Sequence, residues 1–196
     1  MSRRRGSCVD PHVPGDERDL VAGLRSGDAE AFERTYERYR RRLHGYLVRM
    51  ARNRHVAEDL LQETWLRLAS RSRDLDEDTD LGAWLFTVAR NLFLSHVRRA
   101  MCGVERLDCA ACASQGGLNA TPFEIASATQ TQRRLERALL ELPIDQREVL
   151  VLVAVERLEP GQVATVLGVK PEAVRKRLER ARKALAETLE AKGDKP

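Results

Sequence analysis

Three of the chain's four cysteines lie within eleven residues of one another, in the segment CGVERLDCAAC. A structural zinc ion takes four ligands in a tetrahedron, and Cys102, Cys109 and Cys112 supply three of them. The candidates for the fourth ligand are His96, Cys8 and His12. A single Cys-x2-Cys pair is a weak zinc pattern, so we predict no metal and no cofactor. Zinc binding or thiol switching at these cysteines stays open as the alternative.

Cationic side chains crowd the segment from Lys170 to Lys183, which holds seven basic and two acidic residues. Lysine and arginine neutralise phosphates, and arginine also recognises guanine edges in the major groove of DNA. The alternative is an ordinary solvated face of a helix in a bundle. We predict that this face meets DNA, and its outward-facing residues are Arg175, Lys176, Glu179, Arg180 and Lys183.

The residues around this basic segment favour a helix-turn-helix. Pro160 suits the first turn of a short helix, because the N–H that proline lacks has no helical partner there. Gly168 then allows a turn, and Pro171 begins a second helix that continues past Leu189. Two helices joined by a short glycine turn, the second of them basic, are typical of DNA-binding proteins.

The rest of the chain shows apolar residues at helical spacing, separated by polar breaks. Helices are predicted over Asp16–Gly27, from Asp28 through Met50, and over His55–Ala69, Ala83–Arg99, Glu124–Leu142 and Asp145–Val155. A polar loop over residues 71–82 interrupts the pattern. The predicted fold class is therefore all-α, with two small helical domains and the helix-turn-helix in the second.

The domain limits follow from where the helical period starts and stops. We expect a flexible N-terminal arm over residues 1–15, a first domain over 16–100, a flexible linker over 101–123 and a second domain over 124–192. The linker has no periodicity and contains the cysteine segment. The two domains would therefore be free to bind at separate places.

Composition excludes several classes of protein. Aromatic residues make up 5% of the chain and β-branched runs are scarce, which disfavours a sheet. No apolar run approaches the ~20 residues that span a bilayer, so no membrane insertion is expected. The arginines near the N-terminus are not followed by the apolar segment of an export signal. We therefore predict a cytoplasmic protein.

The sequence contains no set of residues that suggests catalysis by the chain itself. A nucleophile with its base, a glycine-rich phosphate loop and paired carboxylates around a pocket are all missing from the pattern. We therefore predict that the protein is not an enzyme, and that binding is its function.

Four segments in order carry a resemblance to a known family. They are DLLQETW (59–65), AWLFTVARN (83–91), LPIDQREVLVL (142–152) and LGVKPEAVRKRLERARKAL (167–185). In this order and spacing they resemble the extracytoplasmic function (ECF) group of the sigma-70 family, the promoter-specificity subunits of bacterial RNA polymerase. The resemblance covers residues 16–100 and 124–190, which is nearly everything outside the arm and the linker.

The resemblance implies a role for each domain. The first domain would dock on the clamp of the largest polymerase subunit and would bind and help to separate the −10 promoter element, with the loop 71–80 near a flipped-out base. The second domain would bind the −35 element and touch the flap of the other large subunit. The implied docking residues are Asp59, Leu60, Gln62, Glu63 and Trp65; the −10 residues are Asn91, His96, Arg98 and Arg99; the −35 residues are Arg175, Lys176, Glu179 and Arg180.

The implied partners are core RNA polymerase, promoter DNA and an anti-sigma factor, and the implied output is transcription initiation at stress- or signal-responsive genes. Two positions depart from the family pattern: serine stands at Ser95 where aspartate is usual, and Glu159–Pro160 replaces a serine–aromatic pair. The alternatives are a stand-alone helix-turn-helix regulator and a metal- or thiol-sensing transcription factor built on Cys102, Cys109 and Cys112.

Overall fold

The structure of the chain, a computed structural model, describes residues 14–101 and 129–193. Those two ranges consist of helices and turns and contain no β-strand, which confirms the predicted all-α class. The helices are α1 (Pro14–Ser26), α2 (Ala29–Ala51), α3 (Arg54–Arg71), α4 (Leu81–Met101), α5 (Gln130–Glu141), α6 (Ile144–Leu150), α7 (Pro160–Leu167) and α8 (Pro171–Gly193). A 3-10 turn, Ser72–Asp74, follows α3, and a turn of π-helix, Val151–Val155, continues α6.

Helices α1 to α4 pack around one apolar core and form the first domain. The Asp28 carboxylate caps α2 by accepting hydrogen bonds from the backbone N–H groups of Glu30 (3.0 Å) and Ala31 (3.3 Å). Arg52 ends α2 in the left-handed conformation, with φ at 56°, and turns the chain into α3. The largest fully buried side chains of this core are Tyr46, Phe86, Phe93, Leu20, Leu24, Leu43, Leu47, Leu68, Leu81 and Leu85.

Helices α5 to α8 form the second domain. A capping box begins α5, in which Gln132 N–H donates to Thr129 Oγ1 (3.2 Å) and Thr129 N–H donates to Gln132 Oε1 (2.7 Å). The π-helical turn is closed by a hydrogen bond from Glu156 N–H to the Val151 carbonyl, at 2.9 Å. The core is made of smaller side chains than that of the first domain: Leu139, Val149, Leu152, Val163, Val174 and Ala181.

The helix-turn-helix lies where the sequence places it. Pro160 occupies the first turn of α7, and Gly168 ends that helix with φ at 65°, a left-handed conformation that favours glycine. Pro171 begins α8 two residues after Val169. The predicted arrangement of the two prolines and the glycine is therefore confirmed.

Element boundaries differ slightly from the predicted ones. The helix predicted from Asp16 begins at Pro14, and the one predicted from Ala83 begins at Leu81, because Asp80 caps it. The predicted polar loop contains the 3-10 turn. Most of the predicted arm and all but the first residue of the predicted linker lie outside the described residues, as do 124–128, so the predicted start of α5 at Glu124 falls there too.

Candidate nucleic-acid and polymerase interface

The outward face of α3 holds the polar residues that we predict to dock on polymerase. Asp59 and Gln62 are exposed, and Glu63 is half-buried. Glu63 accepts a hydrogen bond from Nε of Arg67, one turn further along the helix, at 3.0 Å. Carboxylates and an amide on one helical face make a surface that suits a basic partner.

The other two predicted docking residues, Leu60 and Trp65, face inward. Leu60 is 7% exposed and Trp65 is 8% exposed. The Trp65 ring packs against two rings of α2, with its centroid 4.9 Å from that of Tyr36 and 6.3 Å from that of Phe32. Trp65 therefore fixes α3 against α2, so that the polar face points outward.

The second half of α4 presents the residues predicted to meet the −10 element. Asn91, Arg98 and Arg99 are exposed, and His96 is half-buried. Arg98 donates to the Leu94 carbonyl and to Ser95 Oγ, each at 3.3 Å. Serine at position 95 therefore still orients an arginine, although it lacks the negative charge of an aspartate.

The aromatic side chains of α4 are core residues. Phe86 is 0% exposed and Phe93 is 2% exposed, and Trp84 is half-buried. The Phe86 ring meets the Tyr46 ring edge-to-face at 5.5 Å. The burial of Phe86 and Phe93 leaves them no face on which to stack an unpaired base.

The predicted −35 residues share one exposed side of α8. Val174 and Ala181 are buried against the rest of the second domain and fix the rotation of the helix. The side chains that consequently face outward are Arg175, Lys176, Glu179, Arg180 and Lys183. None of these five makes an ion pair or a hydrogen bond within the described part of the chain.

The loop that precedes α4 is tied to both domains by Asp80. One carboxylate oxygen of Asp80 accepts from the backbone N–H of Ala83 (2.8 Å) and caps α4. The other accepts from Nε2 of Gln162 in α7, at 2.7 Å. Further back in the loop, Glu77 pairs with Arg25 of α1 at 2.7 Å. The acidic loop is therefore held from two sides.

A buried carboxylate of the second domain is the centre of the contact between the domains. Glu148, in α6, is 3% exposed. It accepts hydrogen bonds from the Tyr46 hydroxyl (2.9 Å) and from Nε of Arg90 (3.0 Å), both in the first domain. Burial, with the neighbouring Glu148 charge as a second cause, raises the pKa of Tyr46 well above its usual value.

A second buried carboxylate, Glu156, is held by Arg42 of α2. Arg42 donates through Nε to the Glu156 carboxylate (3.2 Å) and through Nη2 to the Glu156 carbonyl (2.6 Å). Burial raises the pKa of Glu156, and the positive charge of Arg42 opposes that shift. The Arg42 guanidinium also lies over the Tyr39 and Phe86 rings, at 5.6 Å from each centroid.

The same boundary contains a cation of the second domain that binds backbone of the first. Arg147 is 4% exposed, and its Nη1 donates to the carbonyls of Arg49 (2.9 Å) and Met50 (3.3 Å) at the end of α2. Its Nη2 donates to the Leu142 carbonyl, at 3.0 Å. Arg49 in turn donates through Nε to Glu136 of α5, at 3.1 Å.

Sequence reasoning missed these contacts between the domains. The available signal is the segment REVLVLVAVE (147–156), in which Arg147, Glu148 and Glu156 border a buried apolar run. Charged side chains beside such a run need partners when they are buried. Those partners are spread over α2 and α4, so spacing along the sequence could not name them.

Most of the candidate metal ligands are not among the residues that the structure describes. Cys102, Cys109 and Cys112 fall outside the described residues, and so do Cys8 and His12. Within residues 14–101 and 129–193, no group of three or more His, Cys, Asp or Glu side chains could hold a metal ion. No described helix is both long and apolar enough to cross a membrane.

Two family models match the two domains. The model for sigma-70 region 2 matches residues 35–101, and the model for sigma-70 region 4 matches residues 132–185. The first match includes α3 and α4, with their docking and −10 candidates. The second includes the helix-turn-helix.

Whole-chain relatives agree with the family models. The chain is 34% identical over 169 residues to RNA polymerase sigma factor CarQ of Myxococcus xanthus, covering 85% of this chain and 93% of CarQ. It is 32% identical over 151 residues to ECF RNA polymerase sigma factor EcfG of Rhodopseudomonas palustris, covering 77% and 81%. A solved structure of CnrH in complex with the cytosolic domain of CnrY is similar at a TM-score of 0.66 and 28% identity, covering 90% of this chain and 98% of that one.

This protein belongs to the ECF RNA polymerase sigma factors. The family that the sequence resembles is thus confirmed, and with it the function of a promoter-specificity factor in transcription initiation. The two alternatives, a stand-alone regulator and a metal or thiol sensor, are not favoured by these findings. Sigma factors as a class are not enzymes, and they generally need no cofactor.

Proposed function

We propose that the chain brings core RNA polymerase to promoters by docking through α3 and by binding the −35 element through α8. The observation that carries the proposal is the unpaired basic face of α8. Some arginines elsewhere pair with carboxylates, as Arg54 does with Glu58 and Arg67 with Glu63. Four cations that remain unpaired on one exposed helical face are available to phosphates and guanine edges.

The polymerase would meet the outward face of α3. Asp59, Gln62 and Glu63 supply polar and negative contacts there, while Leu60 and Trp65 set the position of the helix from below. A rigid helix held by packed rings is a suitable docking element, because little side-chain order has to be gained upon binding.

Promoter melting would occur along the second half of α4. Arg98 and Arg99 would hold the phosphates of a separated strand, and Asn91 and His96 would contact its bases. The loop 71–80 would receive a flipped-out base beside the start of α4. Because Asp80 caps that helix, the loop and α4 would act as one unit.

The proposal extends to the setting in which the chain acts. We place it in the cytoplasm, without a cofactor and without chemistry of its own, with residues 16–100 and 124–192 as the two working domains. The CnrH relative was solved in complex with the cytosolic domain of CnrY, and the similarly folded RpoE of Bartonella quintana was solved with the anti-sigma factor NepR. By that likeness we propose an anti-sigma partner and a stress- or signal-responsive set of genes.

Run-off transcription tests the proposal. The full chain is mixed with bacterial core polymerase on a library of randomised promoters, and transcripts are sequenced. We expect transcripts from a restricted subset of the library that depend on the chain. Core polymerase that transcribes the same templates with and without the chain would contradict the proposal.

A matched pair of charge reversals tests the docking face. Glu63 and Glu58 lie on the same helix, and each pairs with an arginine four residues away. We expect Glu63→Arg to abolish capture of the chain by core polymerase and Glu58→Arg to preserve it. Equal capture of the two variants would show that Glu63 is not at the interface.

A further inference from the structure

One carboxylate stands among the cations of the α8 outward face. At about 100° per residue, Lys176 and Lys183 point almost directly away from the buried Val174 and Ala181, and Glu179 lies within about 60° of both lysines. Lys176, Glu179, Arg180 and Lys183 line one shallow surface recess. Glu179 therefore occupies the face that we propose to enter the major groove, rather than its edge.

This carboxylate is unpaired although cations surround it. Arg175, Lys176, Arg180 and Lys183 stand four and three residues before it and one and four after it. Glu179 nevertheless makes no ion pair or hydrogen bond in the described structure, whereas Glu58 and Glu63 each bind an arginine one turn away. The Glu179 side chain is thus free to accept hydrogen bonds from another molecule.

A carboxylate on this face affects DNA binding in one of two ways. Near a phosphate it repels, and it weakens binding to every sequence alike. Near the base edges it can accept a hydrogen bond, and the cost then depends on the base. The position of Glu179 near the centre of the outward face favours the base edges, since cations nearer the edges of that face, such as Arg175, are better placed for the phosphates.

The major-groove edges of the four bases differ in what they offer a carboxylate. Cytosine presents the N4 amino group as a donor. Guanine presents two acceptors, N7 and O6, and thymine presents the O4 acceptor and a methyl group. Adenine has a donor at N6 but also the acceptor N7 beside it. Only cytosine offers a carboxylate a donor without an adjacent acceptor.

We propose that Glu179 is a specificity-determining residue that requires a cytosine at one position of the −35 element. The proposal rests on the proposed function of α8. The Glu179 carboxylate accepts from cytosine N4, while Arg180 or Lys176 meets the acceptors of a guanine in the same or a neighbouring pair. Glu179 thus lowers the affinity of α8 for DNA of any sequence and in return makes binding selective for one base.

Promoter selection with variant holoenzymes tests this assignment. Core polymerase with the wild-type chain, with Glu179→Gln or with Glu179→Ala transcribes a library randomised over the −35 element. We expect the wild-type chain to enrich cytosine at one position by about 10- to 100-fold over the other bases. Glutamine pairs with adenine N6 and N7, so Glu179→Gln should move that position to adenine. Glu179→Ala should lose the preference at that position alone.

The matched control is Glu187→Gln, which removes the same charge from the same helix two turns further on. Glu187 is also exposed, so both variants should retain the wild-type circular dichroism spectrum. Glu187→Gln should keep the wild-type base preferences. If Glu179→Gln instead keeps the wild-type base at every position and only binds all sequences more tightly, Glu179 repels phosphates and the assignment is wrong.

A second arm separates this proposal from the proposed function. The full chain alone, without polymerase, selects from a randomised duplex library by binding. A cytosine preference that Glu179→Gln moves to adenine supports the role of Glu179 even if no polymerase-dependent transcription is found. Absence of any base preference in both arms would overturn the role of Glu179.

Discussion

The two domains differ in where their buried polar groups find hydrogen-bond partners. In the first domain the buried Thr35 and Thr64 hydroxyls donate to carbonyls of their own helices, and Glu17 accepts from the Tyr39 hydroxyl (3.1 Å) and the Gly82 N–H (3.2 Å). In the second domain Glu148 and Glu156 depend on side chains of the first. The buried carboxylate and threonines of the first domain are therefore satisfied within that domain, although its buried Tyr46 hydroxyl donates to Glu148, whereas both buried carboxylates of the second domain take their partners from the first.

This difference indicates how the domains can separate. Buried ion pairs gain little over hydrated charges, because the Coulomb attraction is offset by the loss of solvation. When the domains part, water replaces each partner of Glu148 and Glu156. Such polar contacts suit the proposed binding of two separated promoter elements, but the buried apolar side chains of both domains also belong to one cluster.

The largest expected effect comes from the core of the first domain. Phe86→Ala removes a fully buried ring that packs on Tyr46 and lies beneath Arg42, and should lower the free energy of unfolding by ~3–5 kcal/mol. The chain's two tryptophans, Trp65 and Trp84, are both in the first domain. Urea unfolding followed by tryptophan fluorescence and by circular dichroism should therefore show both midpoints falling.

The matched core variant in the second domain is Leu152→Ala, also 0% exposed, with an expected loss of ~2–5 kcal/mol. If the first domain is self-sufficient, circular dichroism should detect an early transition while the tryptophan midpoint stays in place. Tryptophan and dichroism midpoints that fall together would contradict the proposed asymmetry.

Removal of the central carboxylate should have the next largest effect. Glu148→Ala deprives Tyr46 and Arg90 of their shared acceptor, and hydrogen bonds to charged groups contribute about 1.5–3 kcal/mol. Energy transfer between dyes on the two domains should fall in this variant. Glu187→Ala, an exposed glutamate on α8, is the control and should leave the transfer unchanged.

Alkaline pH should destabilise the fold through Tyr39 and Tyr46. Burial raises the pKa of both phenols above the usual 10, whereas in the unfolded chain they ionise near 10. The contribution of the two protonated phenols to the free energy of unfolding is complete below pH 10 and is lost as pH rises toward their pKa values in the folded chain. Stability should fall by about 1.4 kcal/mol per pH unit for each tyrosine. Urea unfolding at pH 9, 10 and 11 measures the slope, and Tyr46→Phe should reduce it by about half.

The smallest expected effect compares one helix cap in each domain. Asp28→Ala and Thr129→Ala each remove a side-chain acceptor from the first turn of a helix, at a cost of typically ~1 kcal/mol. Thermal unfolding should show the Asp28 variant in the tryptophan signal and the Thr129 variant in the dichroism signal alone. A tryptophan shift in Thr129→Ala would mean that the first domain also depends on the second.

Local features of the fold could be predicted from the sequence. The start of α7 at Pro160, the turn at Gly168 and the start of α8 at Pro171 are set by backbone preferences of single residues. The outward placement of Gln62 and the inward placement of Trp65 follow from helical spacing. These features need only neighbours along the chain.

Long-range partners could not be predicted in the same way. Arg90 of α4 binds Glu148, which lies 58 residues further along the chain. Gln162 of α7 donates to Asp80, which lies 82 residues earlier in the chain. Neither pairing has a local cause, since each depends on how two separately formed domains meet.

The contact that Arg147 makes affects how well domains can be exchanged between sigma factors. The Arg147 guanidinium donates to the carbonyls of Arg49 and Met50 at the end of α2. Arg147 and α2 belong to different domains and are about a hundred positions apart in the chain. A hybrid made by joining residues 1–101 to the second half of another sigma factor would therefore lose a cap from α2 wherever that second half lacks an arginine at the matching position. Grafts that keep arginine at this position should tolerate the exchange better than grafts without it.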